Sequence, residues 1–246
     1  MANWNDPQPR SGLGASPSLD GRSGARVSYD AGLRRHMLSI YNYMASGVLL
    51  SGIVAYLFAE SGYAATVMAT PLKWVIALAP LGFVFAISGG AQRFSESTLK
   101  TLYWAFAAVM GLSLSTIFLV FTSQSIATTF FATAAAFAGL SLFGYTTKKD
   151  LSAFGTFLIM GVVGILVAML VNLFVQSTVL QMAISALGVL IFAGLTAYDT
   201  QRLKDQYQVL RGTDFAGKAV VLGALSLYLD FINMFQFLLS FMGQRD

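Results

Sequence analysis

The sequence predicts an all-α polytopic membrane protein, a seven-transmembrane-helix bundle with the seventh helix central. Three observations carry that prediction. The chain is 56% hydrophobic and 11% charged, where a soluble domain averages about 25% charged residues. Seven apolar stretches, 38–58, 72–92, 102–121, 126–145, 153–175, 178–199 and 219–242, reach the roughly 20 residues that a helix needs to cross a bilayer. Thirteen of the fifteen Lys and Arg residues fall on one side of those crossings, an asymmetry that sets membrane topology.

Residues 1–35 are expected to form a disordered basic cytoplasmic tail. They hold three of the five prolines together with Arg10, Arg22, Arg26, Arg34 and Arg35, a composition that cannot bury a core and can touch anionic lipid. No short apolar core with a small-residue cleavage site precedes the first span, so that span is expected to stay as an anchor. Residues 36–246 make up the membrane domain. Its connections are short and carry turn chemistry, as in Glu60-Ser61-Gly62, Ser123-Gln124-Ser125 and Lys148-Lys149-Asp150. Small residues recur inside the spans, around Thr133–Gly139 and Gly155–Gly164. They let helices approach closely where no hydrophobic drive exists, so a compact bundle is expected.

Orientation follows from the cations. With the N-terminus inside, the cytoplasmic side receives the tail, Arg93 and Lys100, Lys148 and Lys149, and then Arg202, Lys204, Arg211 and Lys218. The outer side receives only Lys73 and Arg245. Seven crossings put the C-terminus outside. A re-entrant hairpin over 219–242 would put it inside, and Arg245 alone does not choose between the two.

Composition also excludes chemistry. Cys is absent, which removes disulfides, thiol catalysis and thiolate metal sites. His36 is the single histidine, and beside Arg34 and Arg35 it reads as interfacial. The net charge of +4 reflects topology rather than a nucleic-acid surface. No Walker loop, nucleophile elbow or zinc-protease motif is present.

Two aspartates stand out, Asp199 and Asp230, each in or beside an apolar run. A carboxylate in hydrocarbon costs several kcal/mol, roughly, and so faces a protein interior or a water path. On the seventh span Ser226, Asp230, Asn233, Gln236 and Ser240 fall within an arc of roughly 120° at 100° per residue. Such a stripe belongs inside the bundle, surrounded by the other six helices. On the sixth span Ser185, Thr196 and Asp199 share a face near Gly188. Topology gathers Arg93, Asp199 and Asp230 in one leaflet. Two carboxylates brought together in low dielectric share a proton. With Asn233 and water they offer hard oxygens to a passing Ca²⁺, too few for tight binding. Asp199 and Asp230 are thus the expected proton sensor and ion path, with weak transient Ca²⁺ contact, and Ser226, Asn233 and Thr196 are the expected polar lining.

Three stretches carry a family resemblance: Gly144-Tyr-Thr-Thr-Lys-Lys-Asp-Leu-Ser152, Gly194-Leu-Thr-Ala-Tyr-Asp-Thr-Gln-Arg-Leu-Lys204 and Leu222-Gly-Ala-Leu-Ser-Leu-Tyr-Leu-Asp-Phe-Ile-Asn-Met-Phe235. At these motifs the chain resembles the transmembrane Bax inhibitor motif family (the Bax inhibitor-1/YccA family), and most of all bacterial inner-membrane members of the YbhL type. The resemblance covers about residues 30–243. It implies a pH-sensitive Ca²⁺ leak channel in the bacterial inner membrane, with Asp199 and Asp230 as the proton-sensing pair and no cofactor beyond the transported ion. In a bacterial relative a basic residue at the end of the second span latches one of the pair. That makes Arg93, in Gly89-Gly90-Ala91-Gln92-Arg93, the candidate latch. YccA-like relatives modulate a membrane-bound protease of the FtsH type, so such a protease is the implied alternative partner, with the tail as its handle.

An intramembrane aspartyl protease is the remaining alternative. Tyr198-Asp199 fits the first motif of presenilin-like proteases. The second would need Gly-x-Gly-Asp where this chain has Leu227-Tyr-Leu-Asp230, and no Pro-Ala-Leu follows. The residues therefore favour a protein that is not an enzyme.

Overall fold

A computed structural model describes residues 20–245, with side chains described from residue 31. The elements are α1 (Asp20–Glu60), α2 (Tyr63–Met68), α3 (Leu72–Gly90), α4 (Glu96–Leu114) with a 3₁₀ turn (Ser115–Leu119), α5 (Ser123–Thr146), α6 (Ser152–Val175), α7 (Thr178–Leu210) and α8 (Ala216–Met242). Seven of these helices, all but the short α2, are long and apolar enough to cross a membrane. Among the described residues no strand forms beyond an isolated pairing of Phe121 with Arg245.

Local chemistry sets the helix ends. Ser95, Thr122 and Ser177 each accept a hydrogen bond from the backbone N–H three residues on, at 3.1, 3.2 and 3.2 Å, and so satisfy a donor that the first turn leaves unpaired. Ser95 starts α4 well before residue 102, where the apolar run begins. Gln176, at φ 52°, closes α6 in the left-handed conformation that ends many helices. The side chain of Asn172 then accepts from the Ser177 N–H at 3.0 Å.

The helix α8 is the axis of the bundle. In its most apolar stretch 61% of residues are buried, against 11–33% in the other six spans. It packs on α1, α4, α5 and α7. Leu227 and Tyr228 are fully buried, and the Tyr228 hydroxyl shares a 2.6 Å hydrogen bond with Ser51 of α1. That serine also donates to the Ala107 carbonyl of α4 at 2.6 Å, which ties three helices at one point. At one end of α8, Lys218 donates to the Ala91 carbonyl beyond α3 at 3.3 Å. At the other, the Thr122 N–H donates to the Gln244 carbonyl at 3.1 Å, beside the start of α5. A continuous helix of 27 residues is about 40 Å long. It crosses the bundle completely, and the re-entrant alternative falls away.

Two expectations about boundaries change. The chain is helical from Asp20, so the tail does not extend to residue 35. Leu33 and Met37 are buried, and the helix must begin before them to present both to the core. Residues 1–19 of the expected tail lie outside the described residues. The sixth span does not end at Asp199 either, because α7 continues to Leu210. Asp199 is therefore a mid-helix residue.

Candidate functional site

The helices α7 and α8 form the most extensive helix pair of the bundle. Their approach depends on glycine. A Cβ at Gly188 would strike the Phe237 ring, and one at Gly223 would meet Leu203 and Ile40. This packing brings Asp199 and Asp230 to facing positions, 6% and 5% exposed.

The two acids are held differently. Asp199 accepts a short hydrogen bond from the Ser226 hydroxyl at Oδ2. Its Oδ1 lies 3.3 Å from Nη2 of Arg202, one turn along the same helix. Nη2 also donates to the Ser226 hydroxyl at 3.1 Å, closing a triangle of Asp199, Ser226 and Arg202. Asp230 has no such cradle. Its Oδ2 is buried without a hydrogen-bond partner, and so is Nε of Arg202. The charged groups within electrostatic reach of Asp230 are Asp199 and Arg202, both from α7. A buried oxygen that meets no donor is unusual in a folded protein.

The polar stripe of α8 opens into a cavity on either side of Asp230. At the basic end, one of about 510 Å³ is bordered by Ser88, Arg202, Ser226 and Leu229. Towards the far end, one of about 280 Å³ is bordered by Gln181, Asn233, Gln236 and Ser240. Ser226 and Asn233 are seven residues apart, or about 10 Å along the helix, with Asp230 between them. Gln236 is exposed rather than enclosed, because the second cavity is open beside it. Thr196 is fully buried but lines neither cavity, since its hydroxyl donates to the Phe192 carbonyl at 2.8 Å within α7. Of the three residues expected as polar lining, Ser226 and Asn233 each border one of these cavities and Thr196 borders neither.

Arg93 does not reach the acids. The α3 helix ends at Gly90, and the Phe94 ring folds back onto that glycine. The turn leaves Arg93 exposed, with no ion pair to either aspartate among the described residues. Arg202 occupies the place foreseen for Arg93. Its signal was present in the sequence: a cation three residues after an acid on one helix is a neighbour by geometry.

The first two motifs interlock. Gln201 donates from Nε2 to the Lys149 carbonyl and accepts at Oε1 from the Leu151 N–H, both at 2.8 Å. Lys204 donates to the Tyr145 carbonyl at 2.9 Å, and the Thr200 and Ser141 hydroxyls pair at 2.8 Å. A Cβ at Gly144 would overlap the Ala197 backbone, so that glycine sets how closely α5 meets α7. These contacts carry α7 past Asp199 as a rigid helix and fix the register at which that acid faces α8.

With that geometry in place, comparison with known proteins is decisive. The family model described as inhibitor of apoptosis-promoting Bax1 matches residues 33–246. The chain belongs to this family. An uncharacterized protein of Caulobacter vibrioides is 51% identical over 234 residues, spanning 89% of this chain and 92% of that protein. The inner membrane protein YbhL of Escherichia coli K12 is 43% identical over 228 residues, spanning 91% and 97%. An uncharacterized membrane protein of Streptococcus pyogenes serotype M3 is 36% identical over 221 residues, spanning 88% and 96%. Like the Escherichia coli and Streptococcus pyogenes relatives by name, and by its own seven apolar helices, the chain is a multi-pass membrane protein.

Proposed function

We propose that this protein is a pH-sensitive leak channel for Ca²⁺ and similar cations, gated by proton exchange at Asp199 and Asp230. The observation that carries the reading is the enclosed pair itself: two acids from neighbouring helices, one oxygen without a donor, and a cavity approaching from each end. Asp199 accepts from Ser226 and is ion-paired with Arg202, so it suits the ionised role. Asp230, whose Oδ2 meets no donor, suits the proton. Loss of that proton leaves two negative charges. Two unit charges ~4 Å apart repel by about 4 kcal/mol at an effective dielectric of about 20, and a repulsion of that order shifts a two-state helix packing. The two carboxylates, with Ser226, Asn233 and water, then give a hard cation oxygen ligands without a closed cage. The basic end of the bundle is the cytoplasmic face in this reading. The chain has Leu227-Tyr-Leu-Asp230 where presenilin-like proteases need Gly-x-Gly-Asp, which supports transport over proteolysis.

The test is Ca²⁺ release from liposomes holding the purified protein. Release is expected to be greater at about pH 8 than at about pH 6, because giving up the shared proton leaves the pair doubly charged. Asp230→Asn should flatten that pH dependence, and Asp199→Asn should leave release fixed at one level. Release no greater than from empty liposomes at every pH would reject the proposal.

A further inference from the structure

A further cavity lies away from the aspartates. It is a slot of about 910 Å³ along the outside of the bundle, between α1 and α5. Both helices pack on α8, and α8 supplies the floor through Phe231, whose ring is clasped by Phe130 and Phe137 of α5. Small residues make the room: Ala134, Ala138 and Ser141 on α5 stand opposite Met37, Met44 and Val48 on α1. A hydroxyl pair, Tyr41 with Ser141 at 2.5 Å, bridges the two helices across it. The volume falls within the roughly 300–1,000 Å³ of ordinary ligand sites.

The two ends of the slot differ in kind. Towards Leu49 and Phe130 the lining is apolar, while the other end carries Arg34, the one charged residue among the described lining. Arg35 stands beside Arg34 around an adjoining surface hollow. Lys204 lies over the Tyr145 ring, and Tyr145 borders the same slot. Among the described residues none of these three cations is ion-paired. From Arg34 to Leu49 the slot follows fifteen residues of α1, or ~22 Å. One leaflet offers about 15 Å of hydrocarbon, with the headgroup layer beyond it. A cationic mouth on an apolar trough of that depth has the shape and charge of a single lipid, and basic pockets between membrane helices hold anionic headgroups.

We propose that the slot binds one anionic glycerophospholipid, with its phosphate at Arg34 and an acyl chain laid along Met37, Met44 and Ala134 over Phe231. The site is independent of the leak reading, since neither aspartate borders it. Its occupant bears on α7 all the same, because Ser141 passes the Tyr41 contact on to Thr200, the residue after Asp199.

Native mass spectrometry of the full chain, released from mixed phosphatidylglycerol and phosphatidylethanolamine micelles, reads the site directly. The wild type is expected to keep one phosphatidylglycerol in preference to phosphatidylethanolamine. Arg34→Ala should lower that preference about fivefold, the worth of one basic residue near an anionic headgroup. Ala138→Trp, at an exposed wall position, should fill the trough and remove retention of both lipids. Lys73→Ala, a cation beyond the opposite end, should change neither. Equal retention of the two lipids by the wild type would overturn the proposal. So would a preference unmoved by Arg34→Ala, adducts unmoved by Ala138→Trp, or a second copy of the chain carried in place of lipid.

Discussion

The α6 and α8 helices are similar in length and opposite in place. By mean hydropathy α6 is the most apolar of the seven spans, yet only 11% of that stretch is buried, against 61% in α8. Phe174 of α6 is 85% exposed, whereas Leu227 and Tyr228 of α8 are fully covered. In a soluble protein that ranking would be inverted. Lipid is as apolar as leucine, so hydrophobicity does not draw a helix into a membrane bundle. Polar groups that lipid cannot satisfy do so, together with small residues that admit close contact. α8 carries Ser226, Asp230, Asn233 and Ser240, and so it sits at the centre. α6 carries almost nothing that lipid would refuse, and so it covers the outside of α7.

The largest effect that would break this comparison comes from glycine. A Cβ at Gly144 meets the Ala197 backbone, while one at Gly164 of α6 meets nothing within 4 Å. Gly144→Val must push α5 away from α7 and unmake the contacts that anchor Gln201 and Lys204. Overpacking against backbone costs about 3 kcal/mol, which lowers a thermal midpoint in detergent by roughly 10 °C for a chain of this size. Gly164→Val should leave the midpoint within about 2 °C. Equal losses at the two positions would mean that burial does not separate inner from outer helices.

A smaller effect sharpens it. Tyr228→Phe removes the hydroxyl that meets Ser51 but keeps the ring against Tyr103 and Phe106. Ser51 still has the Ala107 and Gly47 carbonyls, so no buried donor is stranded. The expected loss is about 1 kcal/mol, or roughly 3 °C. Phe174→Ala, on the lipid face of α6, should show none.

The same contrast explains what was legible in the sequence. A bilayer fixes the length of a crossing helix, so seven apolar runs located seven helices, and the polar stripe placed α8 at the centre. Asp199 and Asp230 were legible because a carboxylate in an apolar run is too costly to keep without a use. Hydropathy could not see that α7 continues to Leu210. Beyond Asp199 the helix is held by Thr200, Gln201 and Lys204 bonding to α5 and the following loop, which is tertiary chemistry without an apolar signature. Arg93, the latch candidate that the family resemblance implies, is turned outward by the chain after Gly90 and pairs with neither acid among the described residues. Arg202 needed only helical spacing from Asp199. The bulky residues of α8 opposite the stripe, such as Phe231 and Leu239, are buried too, since α1, α4, α5 and α7 pack around this helix.

Arg202 also gives the finest test of how the central pair is tuned. Its side chain is 38% exposed beside the cavity at the basic end and lies 3.3 Å from Asp199. A partly exposed ion pair is worth about 0–1 kcal/mol. Arg202→Gln keeps a donor for the Ser226 hydroxyl and removes the charge that favours two ionised acids. Under the leak proposal the dianion then forms less readily, so the midpoint of Ca²⁺ release against pH should move upward. The expected displacement is about half a pH unit, since one unit corresponds to about 1.4 kcal/mol. Arg93→Gln, in its exposed turn, should leave the midpoint in place. A shift produced by Arg93→Gln and absent in Arg202→Gln would return the latch to α3 and show that the triangle of Asp199, Ser226 and Arg202 only braces α7 against α8.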